Sequence, residues 1–315
     1  MQIKTYDEVD HYEVYRLGAV AFGWGMSERA VRVTRKLDPR YLDSFAVYAV
    51  ENGKPVAQVI PMKFPVRLTT GVEEVGGLQA VCSHPTVWGK GYARRLMQHV
   101  HNMFRDMDFR ISTLTTSRNI RGHHVYQGLG YVNITDFQSG TRRVPRSHHR
   151  PKGIRLRKAA RRDLPEIQRL FRAYTKGLCG WTMRLPEALP AIAASEHDYL
   201  ERFRMVVRDG EVVGYLRIRP SWNINFEEVI VPDVTDYRDA ISLREYEVKG
   251  KVSRTTWVTA KKDQDRLKAI GYDLDGPIGD TTMAVSLRSP LRTRSIPSLF
   301  GADSGLFAHY PSDDF

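Results

Sequence analysis

The sequence has few of the features that mark membrane, secreted or metal-binding proteins. Its 315 residues include only two cysteines, Cys82 and Cys179, too few for a disulfide framework or a four-cysteine zinc site. No run of about 18 uncharged apolar residues occurs, so we expect no membrane-spanning helix. The N-terminal stretch "MQIKTYDEVDHYEVY" has charges throughout, unlike a secretory signal. These absences predict a cytoplasmic protein with reduced thiols and no bound metal.

The sequence also lacks the best-known motifs for binding phosphate or nucleic acid. It contains neither the GxGxxG dinucleotide fingerprint nor the GxxxxGK[ST] P-loop, and it has no zinc-finger, RRM or KH signature. The formal net charge of +12 nevertheless favours anionic partners. Residues 141–162 include ten Lys or Arg and no acid. We interpret this run as a linker and helix start, with nucleic-acid binding as the alternative.

Two glycines stand between a predicted strand and a predicted helix. "GGLQAVCS" is an apolar strand pattern, "TVWGKGYA" follows, and apolar residues then recur at three- and four-residue steps from Ala93 to Met107. The first turn of a helix has unpaired N–H groups that attract anions, and glycine lets a phosphate approach the backbone closely. The arrangement therefore suits a phosphate or pyrophosphate, with Lys90 adding charge.

Three landmarks occur twice in the same order. Each half has a strand followed by a helix, a hairpin at Asn52-Gly53 or Asp209-Gly210, and a Gly-Tyr exit at Gly130-Tyr131 or Gly271-Tyr272. The second half lacks the glycine-rich loop. We predict a first domain over 1–140, a basic linker over 141–152, a degenerate second domain over 153–288 and a C-terminal tail over 289–315.

The loop and a later stretch together resemble a known enzyme family. "PTVWGKGYARRL" resembles the acetyl-CoA motif of GNAT-type N-acetyltransferases: Gly91 and Ala93 match, while Trp88 replaces the usual Gln or Arg. "HVYQGLGYV" resembles the family's fourth helix. The doubled unit with a defective second copy is similar to the enhanced-intracellular-survival group. The resemblance implies two α/β domains, each a mixed, mostly antiparallel sheet flanked by helices.

The resemblance also implies a binding site for acetyl-CoA. The pantetheine arm would bond to the strand backbone at Ala80, Val81, Cys82 and Ser83. The pyrophosphate would bind the amides of Trp88, Gly89, Lys90, Gly91, Tyr92 and Ala93, with Asn119 assisting. Tyr126 would protonate the departing thiolate as a general acid. From the residues alone, the alternative for Tyr126 is a packed aromatic, and Cys82 is interpreted as a small core residue.

A catalytic base is harder to identify. Alignment on the loop places the carboxylate of histone-acetylating relatives near Gly76-Gly77, where no acid stands, and Glu73 and Glu74 lie further back. Enzymes of the enhanced-intracellular-survival group use their own terminal carboxylate. We therefore expect the tail to pack back on the first domain and bring the Phe315 carboxylate, or one of the two preceding aspartates, towards Tyr126.

The expected function is transfer of an acetyl group from acetyl-CoA to a primary amine. The acceptor stays open between a small amine, an aminoglycoside, and a peptide or protein amine. The second domain would shape the acceptor site or form the interface of a homo-oligomer. The alternative is a non-catalytic acyl-CoA sensor or nucleic-acid-binding regulator on the same fold.

Overall fold

The structure is a computed structural model that describes residues 1–145, 150–219, 223–249, 251–288 and 295–311. In the first half of the chain the elements are β1 (Gln2–Thr5), α1 (His11–Phe22), α2 (Glu28–Leu37), β2 (Val47–Glu51), β3 (Lys54–Leu68), β4 (Gly71–Ser83), α3 (Tyr92–Asp106), β5 (Ile111–Ser117), α4 (Arg121–Gln127), β6 (Val132–Asp136) and β7 (Gln138–Arg143). In the second half they are β8 (Ile154–Lys158), α5 (Leu164–Tyr174), β9 (Cys179–Gly180), α6 (Ala188–Ser195), β10 (Phe203–Arg208), β11 (Glu211–Ile218), β12 (Ile224–Ile230), α7 (Val234–Val248), β13 (Val252–Val258), α8 (Lys261–Ala269), β14 (Asp273–Asp275), β15 (Asp280–Ser286), α9 (Ile296–Leu299) and β16 (Phe307–Ala308).

These strands form two mixed, mostly antiparallel sheets flanked by helices, which confirms the predicted fold class. The first sheet has the order β1-β2-β3-β4-β5-β15-β6, with β9 and β16 at its side. The second has the order β14-β7-β13-β12-β11-β10-β8. Each sheet contains a central parallel pair, β4 with β5 and β12 with β13.

The two sheets exchange one strand each. Strand β7 follows β6 in the chain but lies between β13 and β14 of the second sheet. Strand β15 follows β14 but lies between β5 and β6 of the first sheet. The predicted boundary at residue 140 therefore falls inside a strand of the other sheet, and residues 141–143 of the predicted linker belong to β7.

Both predicted hairpins have the backbone that their sequences require. Asn52 and Gly53 have φ values of 51° and 77°, and Asp209 and Gly210 have 50° and 92°. Positive φ at both central positions is what a type I′ turn needs, and Asn, Asp and Gly tolerate it best. The hairpin prediction is confirmed at both places.

The inferred repeat extends to individual side chains. Gly130 and Gly271 both have positive φ. The tyrosine that follows each glycine reaches back to a serine of the parallel strand: Tyr131 lies 2.7 Å from Ser112 and Tyr272 lies 2.5 Å from Ser253, hydroxyl to hydroxyl. Such a matched contact in two sheets supports a common origin for the two halves.

Some cations of the basic run over residues 141–162 form ion pairs within the fold. Arg142 is nearly buried and forms an ion pair with Glu245 of α7. Arg157 pairs with Asp163 at 2.7 Å. Cations already paired with buried or half-buried carboxylates are poor candidates for binding nucleic acid.

The described part of the C-terminal tail packs back on the protein, as we expected, but it contacts both halves. Leu299 accepts a hydrogen bond from the amide of Thr69 in the first half. Strand β16 pairs with β9, and Tyr310 lies in the core of the second half. The tail therefore joins the two halves.

Candidate active site

The central feature of the first sheet is a gap between two parallel strands. Strands β4 and β5 pair only at Gly76 with Ser112 and at Gly77 with Thr113. Beyond this point β4 bulges: its pairing with β3 shifts register between Gln79 and Cys82, and Ala80 has a φ of 48°. A bulge bends its strand and increases its twist, so β4 turns away from β5. The backbone of Leu78–Ser83 is thereby left unpaired on the side that faces β5.

The two glycines at the base of the gap are needed for packing. A Cβ on Gly76 would lie 2.4 Å from the ring of Phe104, and one on Gly77 would lie 2.1 Å from the ring of Phe64. Both distances are far below van der Waals contact. An acidic side chain does not fit at either position, which gives a physical reason for the missing carboxylate.

The loop after β4 is a turn that leads directly into α3. A short 3-10 turn over Pro85–Val87 is followed by Gly89 and Gly91, with φ values of 82° and 75°. A Cβ built on either glycine meets no atom within 4 Å, so the space beside them is open. Gly91 is the N-cap of α3 and supplies no side-chain cap. The amides of the first turn of α3 are therefore left for an external anion.

The side chains of this loop are held by neighbours that the sequence did not indicate. The Lys90 ammonium lies 3.1 Å from Glu51, and the Tyr92 hydroxyl donates to the same carboxylate at 2.9 Å. These two contacts lower the pKa of Glu51, the Tyr92 hydrogen bond most. Lys90 therefore has a counter-ion of its own. Its part in binding a phosphate stays a prediction. Glu51 lies 39 residues upstream, so only the fold reveals this pairing.

Trp88 occupies the position where the family motif usually has Gln or Arg. Its side chain is 62% exposed, and its indole Nε1 donates to the carbonyl of Ser83 at 3.0 Å. The guanidinium of Arg121 lies 5.7 Å from the ring centroid. The indole thus fixes the end of β4 to the loop. Arg121 places a cation close to the position where the family motif usually has Gln or Arg. Sequence reasoning missed Arg121, although it directly follows the predicted Asn119-Ile120 helix start.

Tyr126 lies in α4 with a buried ring. Burial raises the pKa of Tyr126 to about 12, and the nearby Cys82 thiol adds to the effect. Its hydroxyl forms no hydrogen bond to any residue within the described ranges. Tyr131 behaves differently, because its hydroxyl contacts both Ser112 and His101. Tyr126 is therefore a protonated phenol at neutral pH whose O–H can donate to a ligand, while Tyr131 is a structural tyrosine.

Cys82 and Asn119 take contrasting positions. Cys82 is a buried free thiol whose pKa is raised to about 12 by burial, so it is not a nucleophile. Asn119 is exposed, and its side-chain amide lies beside Gly279, where an added Cβ would approach within 2.8 Å. This places Asn119 against the segment that leads into β15. Its proposed part in cofactor binding stays a prediction.

The predicted base is not among the described residues. Phe315, Asp313 and Asp314 lie outside them. Glu73 pairs with Arg110, and it stands with Glu74 at the far end of β4 from the bulge. In the described parts of the chain no group of three or more potential metal-binding side chains occurs, and no helix there could span a membrane.

The second sheet has a gap in the matching place, but different groups line it. Strands β12 and β13 pair from Ile224 to Phe226 and then separate. Helix α7 begins after Asp233, whose carboxylate accepts from the amide of Asp236 at 2.9 Å. The gap is lined by residues that include Asp263, Leu267 and Tyr310 of the tail. A carboxylate at the helix N-terminus disfavours a second anion there.

One family of known proteins matches the first part of the chain. The family model described as "Acetyltransferase (GNAT) domain" matches residues 2–133. The N-terminal part of the chain is therefore similar to the GNAT acetyltransferases. No curated protein sequence matches the chain.

Solved structures with the same fold cover nearly the whole chain. A GCN5-related N-acetyltransferase from Kribbella flavida has a TM-score of 0.62 at 16% identity, over 92% of this chain and 72% of that one. A GCN5-related N-acetyltransferase from Anabaena variabilis has a TM-score of 0.64 at 12% identity, over 91% and 73%. A tandem GNAT protein from the clavulanic acid biosynthesis pathway has a TM-score of 0.55 at 12% identity, over 92% and 99%. The chain thus has a tandem GNAT fold.

Proposed function

We propose that the first domain transfers an acetyl group from acetyl-CoA to a primary amine. The observation that most supports this proposal is the gap between β4 and β5, which opens at the Ala80 bulge. On one side it leads to a loop where the first helical amides of α3 have no side-chain cap. On the other side it leads to the Tyr126 hydroxyl, which forms no hydrogen bond within the described ranges. Acetyl-CoA carries a thioester at one end and a pyrophosphate further along the molecule. The unpaired strand backbone suits the arm that carries the thioester, and the anion site suits the pyrophosphate.

Each part of the site has a separate role in the proposed reaction. The unpaired edge of β4 between Ala80 and Ser83 would bond to the amide groups of the pantetheine arm. The amides of Gly89, Gly91, Tyr92 and Ala93 would hold the pyrophosphate, helped by the positive end of the α3 dipole. The predicted amides of Trp88 and Lys90 instead donate to the carbonyls of Pro85 and Val87. Arg121 lies beside the loop and would add charge. Binding at both ends would fix the thioester near the bulge.

The chemical step is an acyl transfer in which protons balance. The amine nitrogen attacks the thioester carbonyl carbon, a carbon–nitrogen bond forms and the carbon–sulfur bond breaks. Tyr126 donates its proton to the leaving sulfur and regains one from solvent. Burial keeps this phenol protonated, which is the state that a general acid needs. The amine gives its proton to water, or to the Phe315 carboxylate if the prediction for the tail holds.

The test is time-dependent release of free CoA from acetyl-CoA in the presence of a panel of primary amines. We expect release that depends on both amine and enzyme. If acetyl-CoA binds tightly but no amine yields CoA, the enzyme proposal fails and the acyl-CoA sensor is the better account. The rings that exclude an acid at Gly76 and Gly77 are the specific observation that keeps this alternative worth testing.

A further inference from the structure

A second cleft reaches the Ala80 bulge from the other face of the first sheet. It lies on the α1 and α2 side, where Tyr48 and Ile60 point, whereas α3 and α4 cover the face to which Val47 and Val59 point. Its inner end is formed by Gln58, Gln79 and Ala80. A molecule in this cleft would meet the thioester at the gap from the face opposite Tyr126.

The walls of the cleft are largely aromatic. The side chains that line it, among the residues the structure describes, include six aromatic rings and no Asp, Glu, Lys or Arg. Phe45 and Tyr48 form a buried floor, while Tyr15 and Trp24 stand at the mouth with about half of their surface exposed. The cleft is narrow, with a volume of about 40 Å³, and it opens to solvent at its mouth.

The sequence "FGWG" builds the mouth. Gly23 ends α1 in the left-handed conformation, with φ at 76°, and turns the chain so that Trp24 stacks on Phe22 with 5.5 Å between ring centroids. A Cβ on Gly25 would lie 3.0 Å from the Tyr15 ring, so this segment packs tightly against α1. Trp24 is therefore exposed and also fixed in place, as a stacking wall for a flat ligand should be.

The absence of charge decides between the acceptors that the sequence left open. An aminoglycoside or polyamine carries several cations and would find no carboxylate among the described residues that line this cleft, on a chain with a net charge of +12. A small amine with an aromatic body would cover the rings and leave its nitrogen near Gln58 and Gln79. Gln58 Nε2 donates to the Ala80 carbonyl at 3.3 Å, which leaves its Oε1 as an acceptor for the amine.

Resting on the proposed acetyl transfer, we propose that the acceptor is a small primary amine with an uncharged aromatic body, and that Trp24 is a specificity-determining residue that stacks on it. The nitrogen would point to the amide end of the cleft and the ring would lie at the mouth. Aromatic stacking adds to simple area burial, so removal of the indole should weaken binding of ring-bearing amines in particular.

The experiment uses the full chain with saturating acetyl-CoA and measures CoA release with 2-phenylethylamine, n-butylamine, spermidine and kanamycin. We expect kcat/KM to be at least tenfold higher for 2-phenylethylamine than for the other three. Trp24→Ala should raise KM for 2-phenylethylamine about tenfold with little change in kcat, and Trp24→Phe should restore part of the loss. Tyr12→Ala is the matched control, because Tyr12 is an exposed aromatic of α1 that does not line the cleft.

Turnover with spermidine or kanamycin in preference to 2-phenylethylamine would overturn the inference and leave the proposed acetyl transfer intact. An unchanged KM in a folded Trp24→Ala variant would overturn the role of Trp24. No turnover with any amine, despite acetyl-CoA binding, would overturn both proposals. Calorimetry with 2-phenylethylamine in the presence of CoA adds a readout without turnover, and there the Trp24→Ala variant should bind about tenfold more weakly.

Discussion

The two sheets of this chain share one framework but differ at the gap between their parallel strands. In the first, Tyr126 accepts a hydrogen bond at its carbonyl from the amide of Tyr131, at 3.1 Å. In the second, Leu267 accepts the same bond from Tyr272, at 3.0 Å. The position of the candidate general acid is therefore a leucine in the second half.

The helix N-terminus that follows the gap also differs between the two halves. Gly91 leaves the N-terminus of α3 open, whereas the Asp233 carboxylate caps α7. The second gap also receives Tyr310 from the tail, and the Tyr310 hydroxyl donates to the Asp263 carboxylate at 2.8 Å. A few side chains therefore account for the difference between the candidate active site at the β4–β5 gap and the β12–β13 gap, where Tyr310 occupies the space. The predictions below test this contrast.

The largest effect should come from separating the halves at the predicted boundary. A fragment of residues 1–140 lacks β15, so β5 and β6 would lose the strand that pairs with both. Unpaired strand edges and exposed apolar surface favour aggregation. We expect this fragment to be insoluble or unfolded by circular dichroism. A fragment of 1–140 that melts cooperatively and binds acetyl-CoA like the full chain would contradict the structural role of the exchange.

Gly91→Asp should abolish acetyl-CoA binding in the first half. The change puts a Cβ at a positive φ and a negative charge beside the expected pyrophosphate. We expect the dissociation constant measured by calorimetry to rise by about 100-fold or more. Gly210→Asp is the control, because Gly210 also has positive φ and open space but lies in the hairpin of the second half. Equal affinities in the two variants would refute the loop assignment.

Tyr126→Phe should reduce turnover about 100-fold and leave acetyl-CoA affinity nearly unchanged. The ring and its packing remain, but the proton donor is lost, and general acids usually contribute on this scale. Steady-state kinetics and calorimetry on the same preparation separate the two effects. Tyr246→Phe, at an exposed position of α7, should be neutral. Wild-type turnover in Tyr126→Phe would mean that water protonates the thiolate.

A smaller effect concerns His309, which lies buried between the halves. Its Nδ1 contacts Thr282 of the first sheet at 3.0 Å, and its Nε2 has no hydrogen-bond partner among the residues described. Burial lowers the pKa of His309 to about 3, from 6.5. Below pH 6.5 the unfolded chain takes up a proton that the folded chain refuses, so stability falls towards a limit of about 1.4 kcal/mol per pH unit.

Urea unfolding at pH 7, 6 and 5 measures this slope. The loss of unfolding free energy on acidification should be smaller in His309→Gln than in the wild type. His101, with a pKa lowered to about 4 by burial, keeps part of the slope in both proteins. His197→Gln, at an exposed histidine, should behave like the wild type. Identical slopes for His309→Gln and the wild type would contradict the neutral burial of His309.

Local features could be predicted from the sequence, whereas long-range pairings could not. Asn52-Gly53 and Asp209-Gly210 specify their turns within two residues, and Gly89 and Gly91 predict the loop before α3. The strand exchange gives no such sign, because β7 and β15 would have the same alternation of side chains in either sheet. Arg142 was assigned to a linker for the same reason: its partner Glu245 lies 103 residues away.

The central claim is that acetyl-CoA binds at the β4–β5 gap of the first sheet and not at the β12–β13 gap of the second. Calorimetric titration of the full chain with acetyl-CoA tests this most directly, in the wild type and in Tyr310→Ala, which removes the tail side chain from the second gap. We predict one site per chain in both proteins, because Asp233 still caps α7 when Tyr310 is gone. Two sites per wild-type chain, or one site that survives Gly91→Asp unchanged, would contradict the account.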